Sequence, residues 1–214
     1  VCNAAKISGP IALQAMLMSG AQVISTMIVA PLGNIAIAAN SFAITVESLC
    51  YMPGYGIGDA ASTLVGQTFG AGRKDLCKSF AHMTVGLGMA VMAFMGIIMY
   101  IFAPEMMSIL SSVSSIQNLG VQCLRIEAFA EPFFAASIVT YSVCVGAGDT
   151  FKPVLINLCT MWGIRLTMAY VLASRYGLKG VWYAMATELT ARGILFLIRL
   201  MRGKWLNRPA IKHV

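Results

Sequence analysis

Six long apolar runs, separated by short clusters of glycine, proline and charge, organise this chain. They lie at roughly 8–30, 35–69, 79–103, 120–145, 153–173 and 180–201. As helices rising 1.5 Å per residue, each crosses about 30 Å of hydrocarbon. The pattern predicts an all-α integral membrane protein of six transmembrane helices. Pro53, with Gly54, Gly56 and Gly58, sits inside the second and longest run. A lost backbone hydrogen bond there predicts a kink, or else a break into two short segments. The connections, Pro31 to Asn34, Gly70 to Lys78, Pro104 to Leu119, Gly146 to Lys152 and Ser174 to Lys179, leave no room for a soluble domain. The expected organisation is a six-helix transmembrane lobe over 1–203 and a basic cytoplasmic tail over 204–214.

Composition agrees with a lipid solvent. Hydrophobic residues make up 58% and charged residues 11%, with a mean hydropathy of +0.79; soluble domains carry about one-quarter charged residues. The chain opens on Val1 and shows no cleavable leader pattern, so it reads as a fragment without a removable signal peptide. Its six cysteines are widely spaced with no C-x-x-C, which suits free thiols in apolar surroundings better than a disulfide framework or a zinc site. Counting Lys and Arg on alternate sides sets an orientation. Lys6, Arg73, Lys74, Lys78, Lys152, Arg199, Arg202, Lys204, Arg208 and Lys212 share one side, whereas Arg175 and Lys179 occupy the other, with Arg125 near it. Both ends of the segment are therefore expected in the cytoplasm. The net charge of +7 follows from topology and anionic headgroups, and nucleic acid is not an expected partner.

Five of the eight acids fall inside the apolar runs: Glu47, Asp59, Glu127, Glu131 and Glu188. A charge there costs about 2.5–3.5 kcal/mol on insertion scales, so such groups usually face a bundle interior or a wet cavity. Glu188 and Arg192, four apart, share a helix face and read as a structural ion pair. Glu127 is placed near Arg125 and the outer interface, where it can snorkel to water. Glu131 lies deeper and precedes Pro132, whose missing donor frees a carbonyl for a polar site. Glu47 has Thr45, Ser48 and Tyr51 beside it. Glu47 and Glu131 read as functional carboxylates, while for Asp59 a hydrogen bond to Ser62 or to kinked backbone is an equal alternative. Arg165, between Trp162 and Tyr170, needs a carboxylate, carbonyls or an aromatic face. Some of the fifteen methionines suit an adaptable apolar pocket. His82 and His213 lack ligand-spaced companions, and no catalytic arrangement can be assembled, so the chain is not read as an enzyme.

The run Tyr51-Met52-Pro53-Gly54-Tyr55-Gly56 through Leu64-Val65-Gly66-Gln67-Thr68-Phe69-Gly70-Ala71-Gly72-Arg73 resembles the multidrug and toxic compound extrusion (MATE) transporters. Ala30-Pro31-Leu32-Gly33, Gly146-Ala147-Gly148-Asp149-Thr150, Trp162-Gly163-Ile164-Arg165, Gly180-Val181-Trp182 and Gly203-Lys204-Trp205 strengthen the likeness. The resemblance implies the second of two six-helix lobes around a central cavity, partnered by an N-terminal six-helix lobe in the inner (plasma) membrane. It implies export of small amphipathic or cationic compounds against Na⁺ or H⁺ by alternating access, with no cofactor. Site candidates for ion coupling or substrate binding are then Glu47, Glu131, Asp59 and Glu127, with Na⁺ placed at Glu131 if a metal ion is used. Gln22, Tyr51 and Tyr55 are the candidate cavity lining. The first run offers Met18 and Gln22 where family members often carry an acid. A lipid-linked sugar flippase and a noncatalytic membrane assembly subunit are the competing readings.

Overall fold

The computed structural model describes residues 2–207, and these are helical almost throughout. In order they form α1 (Cys2–Val29), a 3₁₀ turn (Ala30–Leu32), α2 (Asn34–Gly70), α3 (Lys74–Leu110), α4 (Ser114–Glu127), α5 (Glu131–Gly146) and α6 (Phe151–Cys159). A π-helical turn (Thr160–Leu166), α7 (Thr167–Tyr176), α8 (Leu178–Arg202) and a 3₁₀ turn (Lys204–Asn207) complete the described residues. Five helical stretches are individually long and apolar enough to span a bilayer. The sixth pass is a bent pair, α4 and α5, meeting at 59°.

The bundle centres on α2, α5 and α8. α2 packs on α3 and α5, α5 also lies against α3 and α8, and α1 touches the lobe through α6, the π turn and α7. Small side chains permit this approach, since apolar burial adds little between helices already in lipid and close van der Waals packing does the work instead. Ala39, Ala43 and Ala61 on α2, Ala135 and Ala136 on α5, and Ala184 on α8 are fully buried. A Cβ added at Gly146 would stand 2.5 Å from the Ser62 carbonyl oxygen, so α2 and α5 touch backbone to backbone. Ile109, Phe129 and Met201 point outward, as a lipid-facing surface requires.

Three features differ from the sequence expectation, and a fourth decides between two alternatives it left open. The fourth run, read as one helix over 120–145, is broken at 128–130, because Pro132 sits in the first turn of α5, where its missing N–H costs nothing. The third run extends through Pro104 to Leu110, so most of the supposed connection from Pro104 to Leu119 is helix. The second run stays unbroken through Pro53, which excludes two short segments. The fifth run widens into the π turn. At the C-terminal end, Gly203 takes φ +63°, its N–H reaching the Leu200 carbonyl, and this left-handed residue stops α8. Trp205 then folds back fully buried and donates from Nε1 to the same carbonyl at 3.3 Å. Trp205 and Leu206 thus pack on the lobe, and the rest of the expected basic tail, 208–214, lies outside the described residues.

Candidate functional site

Helical spacing brings Glu47, Tyr51 and Tyr55 to one face of α2, four residues apart. That face borders a cavity of about 190 Å³. Gln22 of α1, Arg165 of the π turn and Arg192 of α8 complete its polar lining, with Met18, Phe134 and Met185 among the apolar walls. Tyr51 meets both Tyr55 and Phe134 edge to face, with centroids 5.6 and 5.7 Å apart. Glu47 is 6% exposed, and no ion pair joins it to a described cation. Its side chain is part of the cavity lining.

The bend between α4 and α5 places two more acids nearby, on either side of the break. Glu127 is 1% and Glu131 0% exposed, and neither carboxyl has a hydrogen-bond partner among the described residues. The snorkelling expected of Glu127 does not occur: Arg125 turns outward and stacks on the Tyr100 ring at 5.3 Å. Gly96 of α3 makes room for the bend, since a Cβ there would lie 2.9 Å from the Ala128 carbonyl oxygen and 3.3 Å from Glu131 Cβ. Glu47, Glu131, Glu188 and Arg165 are close enough to Glu127 to act on it electrostatically. Two of the expected site acids therefore sit enclosed behind the cavity rather than on its wall.

Arg192 Nε lies 3.3 Å from Glu188 Oε1 within α8, an ion pair by distance without hydrogen-bond alignment. Its guanidinium also lies 5.6 Å from the centre of the Phe134 ring, and the side chain lines the cavity. Its sequence reading as a purely structural partner missed this second exposure. Arg165 is held differently. Its Nη2 donates to the Met185 thioether at 2.7 Å, and its buried Nε has no partner among the described residues. The π turn widens the helix where Arg165 projects, and such turns recur at functional positions.

Asp59 is exposed, away from Glu47, and borders a second cavity of about 350 Å³. Gln14, Tyr141, Asn157 and Arg192 share that space, and the Tyr141 hydroxyl donates to Gln14 Oε1 at 3.1 Å. Ser62 does not bond the Asp59 side chain; the Asp59 carbonyl instead accepts from Thr63 Oγ1 at 3.0 Å. Asn157 was not anticipated, although a buried amide in an apolar helix is the signal that would have marked it. Among the described residues no three His, Cys, Asp or Glu side chains converge as a metal-ligand set.

Known proteins resemble the chain along nearly its whole length. It is 27% identical over 208 residues to the probable multidrug resistance protein NorM of Thermotoga maritima, covering 96% of this chain and 45% of that protein. It is 29% identical over 204 residues to the Brucella suis protein of the same name, covering 92% and 43%. Among solved structures, the bent form of the Vibrio cholerae MATE transporter VcmN superposes with a TM-score of 0.86 at 16% identity, over 93% of this chain and 45% of that one. The chain thus spans about half the length of the relatives it matches. The MatE family profile covers residues 10–171, and the chain belongs to that family of multi-pass membrane transporters.

Proposed function

We propose that this chain is one lobe of a two-lobe secondary-active exporter, which expels small amphipathic or cationic organic compounds by alternating access in exchange for inward Na⁺ or H⁺. The single observation carrying this reading is the set of enclosed carboxyls, Glu127 and Glu131, without hydrogen-bond partners among the described residues, beside a cavity lined by Glu47. An ionised carboxylate so placed costs several kcal/mol, and proton or cation binding removes that cost. Movement of the bent α4–α5 pass against α3 would open Glu131 to a Na⁺ or a proton on one side of the membrane. A substrate seated on the Glu47, Tyr51 and Tyr55 face would then compete with the coupling ion, and reciprocal competition of this kind produces exchange.

The partner in this reading is the N-terminal six-helix lobe of the same transporter, and the setting is the plasma (inner) membrane with both ends of the segment cytoplasmic. The names of the NorM relatives and the likeness to one half of the MATE structures support it. The test is ion-driven efflux from vesicles carrying the complete transporter. Glu47→Gln or Glu131→Gln is expected to abolish at least nine-tenths of the ion-driven rate, a loss of order tenfold per 1.4 kcal/mol, while membrane insertion stays normal. Efflux unchanged in both variants would overturn the assignment.

A further inference from the structure

A groove of about 400 Å³ shares no lining residue with the two cavities above. It lies between Phe129 and Ala130 at the α4–α5 break and Ala186, Ala191 and Ile194 of α8. Thr187 and Thr190 also line it, but their hydroxyls donate to the Tyr183 and Ala186 carbonyls at 2.8 Å, so the groove offers carbon to an occupant. One end of it is polar. Phe129, 72% exposed, meets Tyr100 of α3 edge to face with centroids 5.7 Å apart, and Arg125 lies over the same Tyr100 ring at 5.3 Å. Arg125 is exposed and has no hydrogen bond or ion pair to another described residue. A guanidinium stacked on a ring keeps its in-plane N–H donors for a phosphate.

Depth fits the same division. The 37 residues of α3 make about 55 Å of helix against about 30 Å of hydrocarbon, so the helix projects beyond it. Tyr100 precedes Leu110 by ten residues and Arg125 follows Ser114 by eleven, which sets both about 15 Å below that end, near the headgroup boundary that Tyr and Arg favour. Ala186 and Ile194 follow Leu178 by eight and sixteen residues, about 12 and 24 Å along α8, so the groove continues from that boundary toward the membrane centre. The charge at this end is positive. Arg175 and Lys179 join Arg125 there, Lys179 close enough to Cys123 of α4 to act on it electrostatically, against one exposed described acid, Glu105.

We propose that this seam holds one anionic phospholipid of the leaflet at the Gly177 end, with its phosphate on Arg125, Tyr100 and Phe129 beside its glycerol, and one acyl chain in the groove between the bend and α8. Phe129 and Ala130 belong to the break itself, so the seated chain braces the bent pass against α8 from the membrane side. The site is separate from the central cavity and independent of what that cavity carries.

The complete transporter, delipidated in a neutral detergent, is titrated by native mass spectrometry with dioleoylphosphatidylglycerol and with dioleoylglycerol, which has the same chains and no phosphate. The first phosphatidylglycerol is expected to bind about fivefold more tightly than dioleoylglycerol, the scale of one basic residue at an anionic headgroup. Arg125→Gln should remove that difference while leaving dioleoylglycerol unmoved, and Arg125→Lys should restore part of it. Ala191→Trp fills the groove and should weaken both lipids severalfold, whereas Met83→Trp, on an exposed position of α3, should weaken neither. Inorganic phosphate at the lipid concentration should not displace phosphatidylglycerol. Equal binding of the two lipids, or phosphatidylglycerol unchanged in both Arg125→Gln and Ala191→Trp, would overturn the proposal; the second is the result expected if another lobe covers the seam. Equal losses in Ala191→Trp and Met83→Trp would reduce the groove to ordinary lipid-facing surface and overturn it too. Displacement by inorganic phosphate would assign Arg125 to a soluble anion instead of a lipid.

Discussion

Glu127, Glu131 and Glu188 are among the largest fully buried side chains of the lobe, and only Glu188 has a cation within ion-pair distance. Their energetic consequences are opposite. Removing one member of a buried pair leaves the other uncompensated, at a cost of about 3–5 kcal/mol, whereas removing both is often neutral. Arg192→Gln should therefore lower the thermal midpoint of the detergent-solubilised transporter markedly, and adding Glu188→Gln should recover most of the loss. Equal midpoints for single and double variants would sink that account. Glu131→Gln should act in the other direction and raise the midpoint in alkaline buffer, where the carboxyl is ionised and an amide of the same shape has no charge to desolvate. Stability gained where transport is lost is the expected exchange at a functional position. The sequence reveals Glu47, Tyr51 and Tyr55 as one helix face, because a spacing of four is a local property. It does not reveal that Glu127 turns inward while Arg125 turns outward to Tyr100, since that depends on where the α4–α5 bend puts each residue.

At the scale of the helix, two irregularities build the site, and neither follows from hydropathy. The residues at 128–130, Ala128, Phe129 and Ala130, are as apolar as their neighbours, so the fourth run reads as continuous; only the preference of Pro132 for a first helical turn betrays the new start. The bend nests on Gly96, where a side chain would meet the Ala128 carbonyl oxygen and Glu131. Gly96→Leu should thus force α3 from the bend and destabilise the lobe by about 1–3 kcal/mol, as overpacked cores generally do. The measurement is again the thermal midpoint, with Gly86→Leu, which faces open space, as the control. Overpacking fails as the explanation if both glycines tolerate leucine equally. The π turn is the second irregularity. It runs into α7 without a break, and it carries Arg165 at the wall of the cavity. No propensity scale distinguishes Thr160–Leu166 from ordinary helix, which is why Arg165 could be recognised as costly but not assigned to a cavity.

Across the whole lobe, the strongest sequence expectations rest on repetition: six apolar stretches, and basic residues recurring on every second connection. The structure brings the basic connections to one end. There the turn after α2, the turn after α5 and the last residues of α8 meet, with Phe69, Cys77, Ala147, Leu200 and Trp205 in one apolar cluster. Arg199 pairs with Asp149 across fifty residues of sequence, tying α8 to the α5–α6 turn. The opposite end carries Arg175 and Lys179 and the tight reversal at Gly177, whose φ of +60° lets α7 pass into α8 without an intervening loop. Retained positive charge follows the cytoplasmic side, so a fluorescent protein fused after the last residue should fluoresce in the cytoplasm, and alkaline phosphatase fused there should stay inactive. Phosphatase inserted at Gly177 should be active if, as the charge count proposes, that reversal faces the other compartment. Away from that basic end, Gln22 and Tyr55 remain exposed beside Glu47, on the face where a second lobe would close the site. Single cysteines at Gln22 and Tyr55 should accordingly react with a maleimide in the isolated lobe and be protected at least severalfold in the complete transporter, while one at Ile109 on the outward surface should react alike in both. Equal reactivity at all three positions would place the second lobe elsewhere.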